Sequence, residues 1–243
     1  MVVDSKDLVH DSAVNSLVVH PEGREIATGT KGGQIYFWSL ETLNVVRTIP
    51  GGCGMVRALT IDEKGTLLAG GFHDGSAKIW EWDTGNLVRS LDSHRAPVNG
   101  LAMTPNGSML ITSGSGGVIK AWNVQKGEEI TCLPGCKRMP SGIVHPVAVS
   151  PQGTKLVAIS RNRSVKTWRL PKFTPYKTER EYPMPLWAIA FGVDERWAFL
   201  GMRARNAQLD LSYGSDSYFG RGSCCLNASS DGKYLVASAR AEL

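Results

Sequence analysis

The sequence has no long hydrophobic run and little excess charge. No apolar stretch in its 243 residues approaches the roughly 18 that a membrane helix needs, and residues 1–11 lack the apolar core of a secretory signal. A net charge of +5 with 42% hydrophobic residues excludes a disordered chain. We therefore expect a globular, soluble, intracellular protein, in the cytoplasm in the first place, with the nucleus and the organelles left open.

Cysteine is scarce and unevenly spaced. The five cysteines lack the paired pattern of a secreted disulfide framework, so we interpret them as reduced thiols. Cys132 and Cys136 are separated by three residues, but no second ligand pair stands at zinc-site spacing. The sequence therefore predicts no metal site.

Local signatures of catalysis are also missing. The chain has no G-x-S-x-G elbow, no H-E-x-x-H pair and no phosphate-binding G-x-x-x-x-G-K-[ST] loop. His73 and Asp74 stand together in a turn, where we favour a structural role for Asp74 over acid–base chemistry. We expect no catalytic residue and no cofactor, and hence a protein that is not an enzyme.

What the chain does contain is a repeat of about 42 residues. Four tryptophans end apolar strands at intervals of 42, 42 and 46 residues, each preceded by a turn pair six and five positions earlier. An upstream turn ends in a glycine with the same spacing. The tryptophans are Trp38, Trp80, Trp122 and Trp168, and the glycines are Gly23, Gly65, Gly107 and Gly153. Fixed-period similarity of this length predicts a repeat architecture.

Two weaker copies and a partial one follow. Residues 186–196 repeat the first strand, residues 207–211 repeat the third with Leu209 at the tryptophan position, and residues 223–238 open a sixth copy. Each copy reads as four short strands separated by Gly, Asn, Asp and Pro. This spacing of strands and turns predicts an all-β fold.

The pattern resembles the WD-repeat β-propellers, a family of scaffold proteins whose repeats form four-stranded blades around a central channel. The resemblance covers nearly the whole chain and rests on the period, the tryptophan, the turn pair and the glycine turn. It implies one propeller domain over residues 1–243, with five recognisable blades and part of a sixth. The implied repeats are about 10–50, 51–92, 93–134, 135–182, 183–220 and, incomplete, 221–243.

The family joins its blade strands through a network of His, Ser or Thr, Asp and Trp, from which this chain departs. The Asp position holds, in repeat order, Gly32, Asp74, Gly116 and Asn162. His10 and His94 occupy the His position in repeats without the Asp, and Gly70 replaces the Ser or Thr in the repeat that keeps it. We therefore expect rigidity to come mainly from packed apolar faces. The structural residues implied are Trp38, Trp80, Trp122, Trp168, Asp74 and His94.

The sixth copy stops after its second strand, at Leu243. A propeller closes by pairing its first and last segments in one blade, because an open edge leaves backbone groups unpaired. We expect either a sequence truncated within the sixth repeat or a partner chain that completes the open blade.

Charge separates by loop type. In a propeller, the loops from second to third strands and from fourth to first strands open at one end. The cations expected there are Lys31, Arg95, Lys137, Arg138, Arg161, Arg163, Arg203, Arg205 and Arg240, against chiefly Asp11, Asp74 and Asp92. The opposite end carries more acidic residues, namely Glu22, Glu41, Asp62, Glu63, Asp83, Glu128, Glu129, Asp194, Glu195 and Asp231. A basic end attracts anionic partners.

The resemblance implies a non-catalytic scaffold, a subunit of a larger intracellular complex. The residues expected to bind a partner are Lys137, Arg138, Arg161, Arg163, Arg203 and Arg205. Arginine favours bidentate contacts, so acidic or phosphorylated protein surfaces fit this end. The alternative is an RNA- or ribosome-associated propeller that binds the phosphate backbone through the same residues.

The junction between the fourth and fifth repeats, residues 170–185, is long and contains four prolines and several aromatics. Its side groove is a second candidate partner surface. Phe173, Tyr176 and Tyr182 either pack over the flank of the blade, which we favour, or contribute to an interface.

Overall fold

All the regular structure that the described residues contain is β-strand. The structure is a computed structural model, and it describes residues 8–52, 54–92, 94–134, 146–159, 163–176, 180–202, 206–213, 215–219, 225–228 and 235–238. Five antiparallel sheets built on four strand positions, and one strand pair, follow one another along the chain. The predicted all-β fold of four-stranded propeller blades is confirmed.

The first three blades are regular. Blade 1 contains β1 (Val14–Val19), β2 (Glu25–Thr30), β3 (Gln34–Ser39) and β4 (Val45–Pro50). Blade 2 contains β5 (Val56–Ile61), β6 (Leu67–Phe72), β7 (Ala77–Glu81) and β8 (Leu87–Leu91). Blade 3 contains β9 (Val98–Met103), β10 (Met109–Gly114), β11 (Val118–Asn123) and β12 (Glu128–Pro134).

The later blades vary more. Blade 4 contains β13 (Val147–Val149), β14 (Lys155–Ile159), β15 (Ser164–Arg169), β16 (Thr174–Pro175) and β17 (Arg180–Glu181), the last two both pairing with β15. Blade 5 contains β18 (Leu186–Phe191), β19 (Trp197–Met202), β20 (Asn206–Asp210) and β21 (Asp216–Phe219). The final pair is β22 (Cys225–Ala228) and β23 (Leu235–Ser238). Pro175 is the last residue of β16 and lies at the outer edge of the sheet, where a proline is tolerated.

Each repeat tryptophan occupies the same register position. Trp38 lies opposite Ile26, and the pairs one repeat apart are Leu68 with Trp80, Leu110 with Trp122, and Leu156 with Trp168. All four indole side chains are buried. The 42-residue period therefore reports a repeated packing position and not only a repeated turn.

The blades pack face to face around a central channel. One apolar cluster fills each interface from blade 1 to blade 5, and the first strands β1, β5, β9, β13, β18 and β22 contact one another in order. A cavity of about 360 Å³ lies between the first strands of blades 2 to 5. The first strands are thus innermost, and the fourth strands form the outer rim.

Within the described residues, one face of blade 1 is not packed against another blade. Leu17 is 50% exposed, whereas Leu59 and Leu101, one and two repeats later, are 7% and 9% exposed. Leu40 and Val19 on the same face are also exposed. The corresponding faces of blades 2 and 3 each lie against the preceding blade. No helix that could span a membrane occurs among the described residues.

Candidate interaction surface

The loops sort to two ends of the channel. Because the first strands run side by side, the loops before them and the turns between second and third strands all lie at one end. We call this the upper end; within the described residues its loops are 8–13, 31–33, 51–52, 54–55, 73–76, 92, 94–97, 115–117, 146, 163 and 182–185. The turns between first and second strands and between third and fourth strands form the lower end.

Four cations of the lower end lie beside carboxylates of the chain, whereas Lys64 and Lys172 form no ion pair within the described residues. Arg196 Nη2 lies 2.8 Å from Asp210 Oδ2. Burial by itself would raise the pKa of Asp210, but hydrogen bonds from Arg196 and from two backbone N–H groups outweigh that effect. Its pKa therefore lies below the ordinary value. Further lower-end ion pairs are Arg24 with Glu22, Arg47 with Glu25 and Lys126 with Glu128. The pair of Arg196 with the buried Asp210 is the best shielded from solvent, whereas exposed pairs such as Arg24 with Glu22 contribute little to stability.

Upper-end loop cations lack such partners. Within the described part of the chain, Lys31, Arg95 and Arg163 form no ion pair. All three are exposed, and Arg163 Nη1 donates to the carbonyl of Pro183 at 3.0 Å. Three carboxylates share these loops, Asp11, Asp74 and Asp92. The other cations predicted for this end, Lys137, Arg138, Arg161, Arg203, Arg205 and Arg240, lie outside the described residues.

Sequence reasoning missed Arg57, because the search for cations considered loops and Arg57 lies in β5. Its Nε and Nη2 atoms donate to Asn99 Oδ1 at 2.9 and 2.7 Å, and Asn99 donates to the hydroxyl of Ser115. Asn15, Arg57 and Asn99 are 42 residues apart, each the second residue of an innermost strand. That periodic polar position was the available signal, and it places a fixed guanidinium at the upper mouth of the channel.

A hydrogen-bonded corner connects the strands of blades 1 and 3. Trp122 Nε1 donates to Thr112 Oγ1 at 3.0 Å, and His94 Nε2 lies 2.9 Å from the same oxygen. The corresponding atoms in blade 1 are those of Trp38, Thr28 and His10, at 3.0 and 2.8 Å. The expectation that these blades depend mainly on apolar packing is therefore incomplete, because His, Thr and Trp remain linked without an Asp.

Asp74 accepts hydrogen bonds from a residue of its own turn. Its Oδ1 atom accepts hydrogen bonds from the N–H and hydroxyl of Ser76, at 2.9 and 2.6 Å. Gly52 and Gly70 stand where blade 1 has its linked His and Thr, so blade 2 lacks the side chains that would join Asp74 to Trp80. The carboxylate orders the turn that faces blade 3.

A cleft of about 650 Å³ opens between blades 2 and 3 at the upper end. Its blade 2 wall contains Asp74, Gly75, Ser76 and Asp92, and its blade 3 wall contains His94, Arg95, Ala96, Gly116, Val118, Lys120 and Cys132. Burial, and secondarily the charge of Lys120, lower the pKa of His94 to about 4. The imidazole is therefore neutral near pH 7. Gly75 cannot be replaced without strain, since its φ is +92° and a Cβ would lie 2.2 Å from the His94 carbonyl oxygen.

The aromatics of the fourth junction belong to the core. Phe173 and Tyr182 are buried in the two clusters that flank blade 4. The Tyr176 ring packs on one of these clusters, with the Arg169 guanidinium 4.6 Å from its centroid. Their packing matches the favoured interpretation, and it leaves these three side chains largely unavailable to a partner.

No group of three His, Cys, Asp or Glu side chains within the described ranges is placed to hold a metal ion. Cys132 is an exposed free thiol, and Cys136 lies outside the described ranges. The structure thus offers binding geometry at the upper end, in the form of a cleft and unpaired cations.

Comparison with known families gives three matches to the WD domain, G-beta repeat. They cover residues 6–39, 43–81 and 85–123, and each ends one residue after a repeat tryptophan. No curated protein matches the chain.

Proposed function

We propose that this chain, which belongs to the WD-repeat family, is a non-catalytic scaffold subunit of a larger intracellular complex. The repeats of this family generally form protein-interaction scaffolds. We propose further that the chain binds an acidic protein surface at its upper end. A rigid array of packed blades suits this role, since the loops of successive blades are held in fixed positions. The four filled blade interfaces supply that rigidity.

One observation carries the choice of the upper end. Lower-end cations such as Arg47 and Arg196 are bound to carboxylates of the chain, whereas Lys31 and Arg163 lack an ion pair within the described ranges. An unpaired exposed cation keeps its field available to an approaching anion and speeds encounter with it. The predicted site residues Lys137, Arg138, Arg161, Arg203 and Arg205 would extend the same surface.

RNA is the second candidate partner, because the same cations would contact phosphates. The three carboxylates of the upper-end loops favour protein instead. A phosphate backbone repeats its charge at every nucleotide and would be repelled wherever it crosses Asp11, Asp74 or Asp92. A protein partner can place its own basic groups beside them.

Charge reversal tests the proposal. We expect Lys31→Glu with Arg163→Glu to weaken capture of the native partner by roughly 5- to 30-fold at low salt, because each exposed pair contributes up to about 1 kcal/mol. The matched control is Lys64→Glu with Lys172→Glu, which makes the same charge change on exposed lower-end loops. The measurement is partner retention on the immobilised full chain from 50 to about 300 mM salt, with and without nuclease.

Three results would contradict the proposal in different ways. Equal losses in both double variants would show a dependence on net charge alone. Unchanged retention in the upper-end variant would remove the upper end as the site. Loss of the partner after nuclease treatment would replace the protein interface with RNA.

We propose that a further four-stranded blade packs on the face of blade 1 that contains Leu17, supplied either by a partner chain or by a longer form of the same protein. Such a blade would bury Leu17, Val19 and Leu40, as blade 1 buries Leu59 of blade 2. In the assembled complex, the amides of β1 would then exchange hydrogen more slowly than in the isolated chain. Equal exchange in the two forms would contradict this contact.

A further inference from the structure

Blades 1 and 3 contain the same hydrogen-bonded His–Thr–Trp corner but carry different charges beside it. Their His–Thr–Trp geometry agrees within 0.1 Å at both linked distances. The two residues that follow the histidine differ: they are Asp11 and Ser12 in blade 1, and Arg95 and Ala96 in blade 3. Blade 1 therefore serves as an internal template for what occupies this corner.

In blade 1 the corner is filled by the chain itself. Ser12 Oγ accepts a hydrogen bond from the Gly32 N–H at 2.9 Å, and a Cβ on Gly32 would lie 3.7 Å from Asp11 Oδ2. Desolvation, together with a hydrogen bond to Asp11, raises the pKa of Tyr36. A carboxylate is thus part of the closed corner.

In blade 3 the same corner is open and cationic. A Cβ on Gly116, the counterpart of Gly32, would meet no atom within 4 Å. Ala96 has no hydroxyl to accept from the Gly116 N–H, and Lys120 replaces Tyr36. Arg95 stands where blade 1 has its carboxylate, so this corner has exchanged an anion for two cations.

We propose that the blade 3 corner binds the carboxylate of an Asp or Glu side chain from a partner protein, which lies in the cleft as Asp11 lies in blade 1. The inference rests on the proposed scaffold function and specifies the chemistry of its partner. Arg95 supplies charge at the rim, and the Gly116 N–H supplies a backbone donor. Lys120 contributes less than a full charge, because its Nζ lies 2.7 Å from Glu129 Oε2.

The opposite wall narrows the choice of ligand. Asp92 is exposed there, and Asp74 is held by Ser76. A segment that carries a basic residue close to its acidic one would complement both walls, whereas a polyanion would meet repulsion from the blade 2 side. The cleft therefore favours a peptide of mixed charge.

His94 provides a reporter inside the cleft. Its depressed pKa reflects burial first and the Lys120 charge second. A carboxylate that enters the corner adds a negative charge nearby and so raises the pKa of His94. A neutral ligand beside His94 would not add the negative charge that raises the pKa of His94.

The first test uses two probe peptides, Ac-Gly-Glu-Gly-Lys-Gly-NH2 and the same peptide with Gln in place of Glu. We expect the Glu peptide to shift the Gly116 and Gly117 amide signals of the full chain in NMR, with a Kd of about 1 mM. It should also raise the pKa of His94. The Gln peptide should bind at least roughly tenfold more weakly, since it lacks the charged acceptor.

Substitutions copied from blade 1 should close the site. In Arg95→Asp with Ala96→Ser, the chain supplies its own carboxylate and hydroxyl, and we expect at least a roughly tenfold loss of Glu-peptide affinity. Lys64→Asp makes the same charge change on the lower end and should leave affinity unchanged. A second variant, Gly116→Asp, should show a higher Tm than Gly116→Asn and should also exclude the peptide.

Several outcomes would overturn the inference. Equal binding of both peptides, no saturable shift at Gly116, or full binding to Arg95→Asp with Ala96→Ser would each do so. These outcomes differ from failure of the scaffold proposal. A native partner that is lost in Lys31→Glu with Arg163→Glu but retained in Arg95→Asp with Ala96→Ser would keep the upper end and reject this corner.

Discussion

Replacing Trp82 with alanine is expected to lower the free energy of unfolding by about 3–5 kcal/mol, the usual cost of removing a buried tryptophan. Trp82 is the largest fully buried side chain of the described residues, at 1% exposure. It lies at the interface of blades 1 and 2, in one cluster with Phe37 and Ile49. The cavity left by alanine would open between two blades that must stay in register.

Trp82 also forms hydrogen bonds with residues of blade 1. Its Nε1–H donates to Glu25 Oε2 at 2.9 Å, and its carbonyl oxygen accepts from Arg47. The Arg47 guanidinium also lies 3.9 Å from the centroid of the Phe37 ring. Burial lowers the pKa of Arg47, and the neighbouring Glu25 charge opposes that shift. The indole therefore covers a charge pair of blade 1 with a side chain of blade 2.

Trp82→Phe is the matched control for this prediction. It keeps an aromatic ring in the interface but removes the indole donor, and we expect a loss of roughly 1–2 kcal/mol. Urea unfolding at pH 7, followed by circular dichroism, would measure both variants against the parent chain. An alanine variant no less stable than the phenylalanine variant would show that Trp82 does not join the blades.

The structure also shows why the sequence predicted the blades but not this contact. Trp38, Trp80 and Trp122 recur at a fixed spacing, and recurrence separates a structural position from a chance tryptophan. Trp82 has Leu40 and Val124 at the same position of the neighbouring repeats, so no repeated residue type drew attention to it. Its partners, Glu25 and Arg47, are 57 and 35 residues away along the chain.

Glu195 gives a second example at the lower end. The sequence places it among surface acidic residues, yet its carboxylate accepts from Thr154 Oγ1 at 2.6 Å and also binds Ser150. Burial opposes ionisation, but these hydrogen bonds and the nearby Lys155 outweigh it and lower the pKa of Glu195. Loop type predicted which end of the channel this charge occupies. Its pairing depends on the distance between blades 4 and 5, which no local pattern specifies.

The upper end shows the same division. The positive charge of Lys31, Arg95 and Arg163 is given by the residue type, and their common place at one end follows from the order of the strands. Whether each cation is paired depends on what the neighbouring loop presents, and that required the folded arrangement. Arg57 was overlooked for a related reason, since a strand residue reaches the channel mouth only when its strand is the innermost of its blade.

The stability of the protein should fall by about 2–3 kcal/mol through His94 as the pH decreases from 7 to 4. The pKa of His94 is about 4 in the folded chain, below the ordinary value of 6.5. Below pH 6.5 the unfolded chain takes up a proton that the folded chain resists until about pH 4. The His94 contribution is therefore complete above pH 6.5 and is lost progressively down to pH 4. Partial exposure of the ring places the expected value below the full pKa difference.

His94→Gln separates this contribution from other acid effects. Glu195 and Asp210 also have lowered pKa values, and their stabilisation falls at acid pH in both chains. The difference between parent and variant should therefore shrink as the pH falls from 7 to 4. His10→Gln removes the corresponding bond to Thr28 in blade 1 and serves as the matched control.

The measurement is the urea midpoint of both chains at half-unit steps of pH, at constant ionic strength. Parallel curves for the parent chain and His94→Gln would mean that His94 titrates alike in the folded and unfolded chain. Adding the Glu probe peptide should then reduce the loss of stability of the parent chain at low pH, because the bound carboxylate favours protonated His94. The same imidazole thus connects the strength of blade 3 to what occupies the cleft beside it.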